Sequence, residues 1–114
     1  SFKAGDEVEI RVSGRGMKAV NALSFALPYD QQSYDFVGIE TVAVKGMENL
    51  TNDRLHTDGE KVLYPTFVNV GDKPAVEGDV ELFVIRLKAK GDVQFDLKAQ
   101  NGVLVDKNLN RVTF

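Results

Sequence analysis

Hydrophobic and polar residues alternate along two early segments of the chain. In Glu7–Val12, every second residue is apolar and the residues between are charged. In Val20–Asp30, Leu23, Phe25, Leu27 and Tyr29 alternate with Ala22, Ser24, Ala26 and Pro28. Side chains two positions apart in a strand share a face. Both segments are therefore predicted to be β-strands with one face in a core.

Short apolar segments separated by turn residues continue to the end of the chain. The predicted strands that follow are Tyr34–Val44, Lys61–Val70, Glu81–Ala89, Val93–Ala99, Val103–Asp106 and Arg111–Phe114. Gly14–Gly16 and the Asp58–Gly59 pair are predicted turns. This pattern predicts an all-β fold, a two-sheet antiparallel β-sandwich. With 114 residues, the chain is expected to form one domain over residues 1–114.

The second strand has an unusual outer face, which carries only the small residues Ala22, Ser24 and Ala26. A strand face in contact with water normally carries Lys, Glu, Thr or Arg. A flat face of small residues therefore indicates a surface on which another molecule docks. The alternatives are that a loop of the same chain covers this face, or that small residues occupy it without a role.

A second apolar surface is predicted in Lys61–Val70. Leu63, Pro65 and Phe67 alternate with residues that are mostly apolar as well, so both faces of this strand are apolar. A two-layer sandwich has no third layer to cover the second face, which is expected to be partly exposed. Pro65 lacks a ladder donor and predicts a sheet edge or a bulge.

Several segments, taken in order, resemble cohesin domains. Tyr29-Asp30, a polar loop and Tyr34–Glu40 resemble a cohesin pattern in which one strand ends in Tyr-Asp and the next contains Phe-Val-Gly-Ile-Glu. Ala4–Val12 resembles the preceding cohesin strand, and Leu82–Ala89 resembles a later Leu-Phe-x-Ile-x-Phe-Lys-Ala strand. The resemblance covers most of the chain. It is closest to the cohesins attached to secreted glycoside hydrolases of clostridia-like bacteria.

The resemblance implies a jelly-roll sandwich that acts as a non-catalytic protein–protein interaction module. Its partner would be a dockerin, a small helical domain carried on another secreted enzyme, and calcium would belong to that dockerin. No cofactor is expected on this chain. The resemblance also implies that the domain is part of a larger multimodular protein, secreted or attached to the cell surface. The first cohesin strand would precede Ser1, and only Ser1–Lys3 could stand in for it.

The resemblance also implies how the docking surface is arranged. In cohesins, the strand that matches Lys61–Val70 lies beside the strand that matches Val20–Asp30. Gln94, Asp96 and Lys98 lie opposite Val93, Phe95 and Leu97, which are expected to be buried, and so could form a polar rim on the other side. The predicted partner-binding residues are Ala22, Ser24, Ala26, Tyr64, Thr66, Val68, Gln94, Asp96 and Lys98.

Composition excludes several other functions. The net charge of −3, with both signs interspersed, argues against a nucleic-acid partner. No apolar run is long enough for membrane insertion. There is no cysteine, and His56 is the only histidine, so a catalytic triad is not expected. The many carboxylates have no cleft in so small a sandwich, so neither a catalytic site nor a small-molecule substrate is expected.

One segment begins like a calcium-binding loop. Asp106–Asn110 has the spacing Asp-x-Asn-x-Asn, but Arg111 stands where an EF-hand loop requires glycine. The sequence therefore favours a polar turn between two strands, without a metal.

Two other functions remain open at this point. A carbohydrate-binding module would need exposed aromatic residues or a calcium-lined groove. An immunoglobulin-like spacer would need no ligand, and its surface around Ala22 and Tyr64 would be charged and hydrated.

Overall fold

Nine strands and no helix make up the structure, a computed structural model that describes residues 1–114. The strands are β1 (Glu7–Tyr29), β2 (Tyr34–Thr41), β3 (Glu48–Asn49), β4 (Asn52–Leu55), β5 (Lys61–Tyr64), β6 (Thr66–Val68), β7 (Val76–Ala89), β8 (Gln100–Asp106) and β9 (Arg111–Thr113). All strand pairs are antiparallel. The predicted all-β antiparallel fold is confirmed. The structure contains no helix long and apolar enough to cross a membrane.

The long strand β1 belongs to both layers of the sandwich. Its first half pairs with β7, which pairs with β2 on its other side, and these form the first sheet. Its second half pairs with β5 and β6 on one side and with β8 on the other. Together with β3, β4 and β9, these strands form the second sheet. The same chain segment therefore fixes the position of one sheet relative to the other.

A bend in the middle of β1 takes the chain from the first sheet to the second. Its pairing with β7 is irregular at three points between Val12 and Val20, and Gly16 and Ala19 have positive φ values of 59° and 50°. The Gly16 N–H donates to Asp79 Oδ1 at 2.7 Å. The predicted turn at Gly14–Gly16 is wrong, because β-bulges and left-handed backbone bend a strand that stays paired with its neighbour.

The core lies between the two sheets and contains the apolar face of β1 that the alternation predicted. Leu23, Phe25, Leu27 and Tyr29 are all buried. The ring of Phe83, on β7, stacks on Phe25 at 6.0 Å between centroids and lies 4.9 Å from the ring of Phe67 on β6. These aromatic contacts join the two layers, and aromatic pairs at such distances add to the stability gained by burial.

Other predicted strands also differ from the structure, and the strand predicted at Tyr34–Val44 ends at Thr41. Lys61–Val70 is interrupted at Pro65, where β5 ends and β6 begins, as the predicted edge or bulge requires. Val93–Ala99 is not a strand, because only Val93 forms a bridge, with Phe2. Phe95 was expected in the core but is 50% exposed. The edge of β1 that could have paired with this segment is occupied by β8 from Gln100 onwards.

Candidate functional site

The outer face of the second sheet brings together three rows of side chains. Ala22 is the cross-strand partner of Val68 on β6 and of Val105 on β8, and Ser24 is the partner of Thr66 and Val103 in the same way. Directly paired residues of neighbouring strands project from the same face. We call this surface the apolar face, and it consists of Ala22, Ser24, Ala26, Thr66, Val68, Val103 and Val105.

The apolar face is uncharged and only partly covered by the chain itself. All of its residues are half-buried except Ala26, which is 8% exposed. None of them belongs to the core cluster between the sheets. The prediction that Ala22 and Ser24 point away from the core is therefore confirmed, as is the position of Val68 and Thr66 beside them, whereas Ala26 is buried.

The hydroxyl groups on the apolar face are hydrogen-bonded within the protein. Ser24 Oγ and Thr66 Oγ1 are 3.1 Å apart, and Thr66 Oγ1 donates to the carbonyl of Tyr64 at 3.1 Å. A molecule that covers this face therefore leaves these polar atoms with their partners, which lowers the cost of removing water from them.

Tyr64 stands at one end of the apolar face with its hydroxyl fixed. Tyr64 is half-buried, and its Oη lies 2.7 Å from Nε2 of His56. The two rings meet edge to face at 5.9 Å. Together with Ser24, Ala26 and Pro28 they line a shallow groove of about 230 Å³. The predicted partial exposure of Tyr64 is confirmed, and the groove gives the face one concave feature.

The predicted polar rim lies elsewhere. Gln94, Asp96 and Lys98 line a larger depression of about 610 Å³ beyond the end of β1, near Asp30. They do not run along the side of the apolar face, where β8 places Val103 and Val105 instead. The signal that could have found these two valines is the run Val103–Val105, which is apolar on both faces in the same way as Lys61–Val70.

The opposite outer surface, on the first sheet, is covered by ion pairs. Arg86 on β7 donates to Glu9 at 2.6 Å and to Glu40 at 3.1 Å, and it also binds Glu7. Arg11 binds Glu81 at 2.8 Å. The hydrogen bond from Arg86 lowers the pKa of Glu9 below its ordinary value. Each of the four glutamates of this face is thus paired with one of two arginines, Arg86 or Arg11.

The groups that suggested other chemistry have structural roles. His56 contacts Tyr64 rather than a nucleophile or a carboxylate. Asp106 accepts hydrogen bonds from the backbone N–H groups of Asn108 and Asn110 and from the Asn110 side chain. These bonds, led by the Asn110 backbone, lower the pKa of Asp106. Asp106–Asn110 forms the polar turn predicted between β8 and β9.

No protein-family model matches the chain, and no curated protein matches its sequence. Several solved structures match its fold. A type I cohesin–dockerin complex from Clostridium thermocellum has a TM-score of 0.70 at 16% identity, over 98% of this chain and 84% of that one.

Two further solved structures match the fold of this chain. The sixth cohesin of scaffoldin B from Acetivibrio cellulolyticus, in complex with a Cel5 dockerin, has a TM-score of 0.70 at 13% identity, over 97% of this chain and 84% of that one. A non-cellulosomal cohesin from the archaeon Archaeoglobus fulgidus has a TM-score of 0.67 at 13% identity, over 96% and 75%. The chain therefore has the fold of the cohesins.

Proposed function

We propose that the chain is a non-catalytic module that binds a dockerin through the apolar face. The observation that carries the proposal is the contrast between the two outer surfaces. On the first sheet the glutamates form ion pairs with Arg86 and Arg11, whereas the second sheet presents small, uncharged and mostly half-buried residues. Two of the structures with the same fold are cohesins in dockerin complexes, which supports the choice of partner.

The geometry of the apolar face suits a helical partner. Ala22, Ser24 and Ala26 end close to the backbone, so a helix can approach the sheet without meeting large side chains. The strands on both sides hold these residues in a preformed surface, which limits the conformational entropy lost on binding. Tyr64 is the one large aromatic residue beside this strip, and central aromatic residues often supply much of the binding energy.

In this proposal, calcium belongs to the partner, and the domain acts outside the cell. The carboxylate of Asp106 is already engaged by three N–H donors and serves the turn between β8 and β9. The parent protein would be a multimodular secreted protein, of the kind that carries a glycoside hydrolase. The module itself would join that protein to an enzyme bearing the dockerin.

The two other functions predict different surfaces. A carbohydrate-binding module would need a row of exposed aromatic rings, but the apolar face carries none, and Tyr64 at its end is half-buried. An immunoglobulin-like spacer would need a charged, hydrated surface around Ala22. The cross-strand partners of Ala22 are instead the apolar residues Val68 and Val105, so the surface around Ala22 is not charged.

The test is a binding assay with the immobilised domain and each dockerin encoded by the source organism, in calcium and in EDTA. We expect one or more dockerins to bind in calcium and to be released by EDTA, and Ala22→Arg to abolish this binding. Retention of glycans without any dockerin would support the carbohydrate-binding module instead. If neither a dockerin nor a glycan binds, the result would support the immunoglobulin-like spacer.

A further inference from the structure

Asn101 is the only asparagine of the chain that is followed by glycine. An asparagine side chain can be attacked at its Cγ atom by the backbone nitrogen of the next residue, which closes a five-membered succinimide ring. A side chain on that next residue hinders the approach of its nitrogen, and glycine has none. At Asn101 the reaction therefore meets less steric resistance than at any other asparagine of the chain.

The backbone around Asn101 lies outside the regular pairing of β8 with β1. Gln100 pairs with Ala26 and Val103 with Ser24, so β8 has one residue more than β1 between these two pairs. Asn101 has a positive φ of 54°, a conformation that asparagine adopts more readily than most residues. These are the features of a β-bulge, in which the extra residue leaves the ladder. The bulge leaves the Asn101 side chain exposed.

The carboxamide of Asn101 is not held by the rest of the chain. Asn21 and Asn69 bond to each other through their carboxamides at 3.0 Å, and the carboxamide of Asn110 donates to Asp106 at 3.0 Å. The Asn101 side chain forms no such hydrogen bond. Its Cγ atom can therefore rotate towards the backbone nitrogen that follows.

That nitrogen, in Gly102, is engaged in the folded structure. The Gly102 N–H donates to the carbonyl of Phe114 at 2.9 Å, and the Phe114 N–H donates back to Gly102 at 2.9 Å. The Phe114 ring lies over Gly102, where a Cβ atom would overlap it, and meets Phe25 edge to face at 6.4 Å between centroids. The pairing with Phe114 therefore protects Asn101, because the nitrogen has to give up its hydrogen bond before it can attack.

This protection depends on a short edge strand. β9 has three residues, all exposed, and it pairs with β8 alone. Phe114 beside it is 60% exposed. Segments with few buried contacts open locally at a lower free-energy cost than core strands. When opening and closing are fast compared with the chemistry, the rate of reaction follows the population of the open form.

We propose that Asn101 is a site of spontaneous modification, at which asparagine is converted to aspartate and isoaspartate at a rate set by the opening of β9. The Gly102 nitrogen bonds to Asn101 Cγ, and the bond from Cγ to the side-chain nitrogen breaks. That nitrogen leaves as ammonia with the proton of the Gly102 amide. Water then opens the ring at either of its two carbonyl carbons, which gives aspartate or isoaspartate.

Either product alters the groove beside the apolar face. Asn101 lines that groove together with Ser24, Ala26 and Tyr64. The new carboxylate is ionised at neutral pH, so it places a negative charge next to the uncharged apolar face. Isoaspartate also lengthens the backbone of β8 by one methylene group. The modification therefore weakens docking on the apolar face, a consequence that rests on the proposed function, whereas the reaction at Asn101 does not.

The reaction is tested by incubation of the domain at mildly alkaline pH, followed by tryptic digestion and mass spectrometry. We expect the mass gain of an amide-to-acid conversion in the peptide 99–107, with aspartate and isoaspartate separated by chromatography. The peptide 108–111 is the internal control, because Asn108 is exposed and its carboxamide is unbonded, but Leu109 follows it. Asn101→Gln should abolish the mass gain, since the longer side chain would have to close a less favourable six-membered ring. A folded domain that stays unmodified while the chain in urea is converted would overturn the proposal.

The role of β9 is tested by Phe114→Ala, which removes the ring over Gly102. This variant should raise the rate of modification in the folded domain by about threefold to tenfold, and hydrogen exchange at the Gly102 amide should rise by the same factor. Arg86→Ala is the control, because it removes ion pairs on the first sheet and leaves β9 unchanged. An unchanged rate in Phe114→Ala, or equal acceleration in both variants, would overturn the role assigned to β9.

The effect on docking is measured separately. Ion exchange separates modified from unmodified chains, and both are titrated with the dockerin identified by the binding assay. We expect the modified chains to bind more weakly, and equal binding would overturn the predicted effect of the modification on docking. If no dockerin binds either form, the proposed function fails, while mass spectrometry still decides whether Asn101 is modified.

Discussion

The hydroxyl oxygens of Ser24 and Thr66 lie 3.1 Å apart on adjacent strands of the second sheet. Thr66 uses its own hydroxyl hydrogen for the carbonyl of Tyr64, so Ser24 is the donor of this bond. The bond joins two residues that are direct cross-strand partners and therefore helps to fix the register of β6 against β1. It also leaves the centre of the apolar face without an unsatisfied hydroxyl group.

Ala22→Arg or Ser24→Arg should abolish partner binding with little loss of stability. Both residues point away from the core, so the long side chain projects outwards and holds a partner away from the sheet. Isothermal titration with the cognate dockerin and thermal unfolding measure the two effects separately. Val37→Arg is the matched control, since Val37 is 58% exposed on the first sheet. Unfolding of Ala22→Arg with intact binding would show that the inside and outside of β1 are reversed.

Tyr64→Ala should cost about 1–2 kcal/mol or more of binding free energy, as central aromatic residues often do. Tyr64→Phe keeps the ring and removes only the hydrogen bond to His56, so its effect on binding should be smaller. The comparison is made by titration calorimetry at one pH and salt concentration. Equal losses in both variants would assign the effect to the hydroxyl group rather than to the ring.

Arg86→Ala should lower the melting temperature more than Arg11→Ala does. Arg86 binds three glutamates, and its removal leaves two of them, Glu7 and Glu40, without a cation, while Glu9 keeps Arg11. Arg11 binds two, and one of these, Glu9, keeps Arg86 as a partner. Melting curves in 1 M NaCl should show a smaller difference between the variants, because salt screens exposed charges. A difference that is independent of salt would contradict this electrostatic explanation.

Stability should fall at alkaline pH, and Tyr29→Phe should weaken this pH dependence. Burial and a 2.8 Å hydrogen bond to Asp53 raise the pKa of Tyr29 well above its ordinary value. A group with a raised pKa stabilises the fold below the pKa it has when unfolded, about 10, and this stability is lost as the pH rises further. Melting temperatures between pH 8 and 11 test the slope. The variant should also be less stable at pH 7, by about 1 kcal/mol for the lost hydrogen bond. An unchanged alkaline slope in Tyr29→Phe would refute the assignment.

Calcium should not alter the stability of the isolated domain, whereas Asp106→Ala should lower it. Asp106 stabilises the β8–β9 turn through its hydrogen bonds to Asn108 and Asn110. Because its pKa is lowered in the folded state, this contribution is present above its ordinary pKa and lost as the pH falls through the lowered value. The melting temperatures of both proteins are compared at pH 7 and pH 3, with and without millimolar calcium. A rise on adding calcium that Asp106→Ala removes would identify a metal site.

The sequence by itself determined which residues of β1 face the core and which face outwards. Leu23 and Phe25 are buried and Ala22 and Ser24 lie on the outer face, as the period of two predicts, because the alternation of side chains is a local property of an extended backbone. The break at Pro65 was also predictable from the sequence, because proline has no N–H group to donate to a neighbouring strand. The order of strand segments along the chain also carried the resemblance to cohesins.

Only the tertiary structure decided which strands lie side by side. It placed Val103 and Val105 beside Ala22 and Ser24. Asp96, which was predicted beside the apolar face, instead lines the larger depression near Asp30. β-Bulges also changed which side chains are exposed. A bulge between Phe36 and Gly38 leaves Val37 exposed, although simple alternation would place Val37 on the same face as Ile39. Strand pairing depends on backbone groups that are distant in sequence, so the pattern of one segment specifies its own faces but not its neighbours.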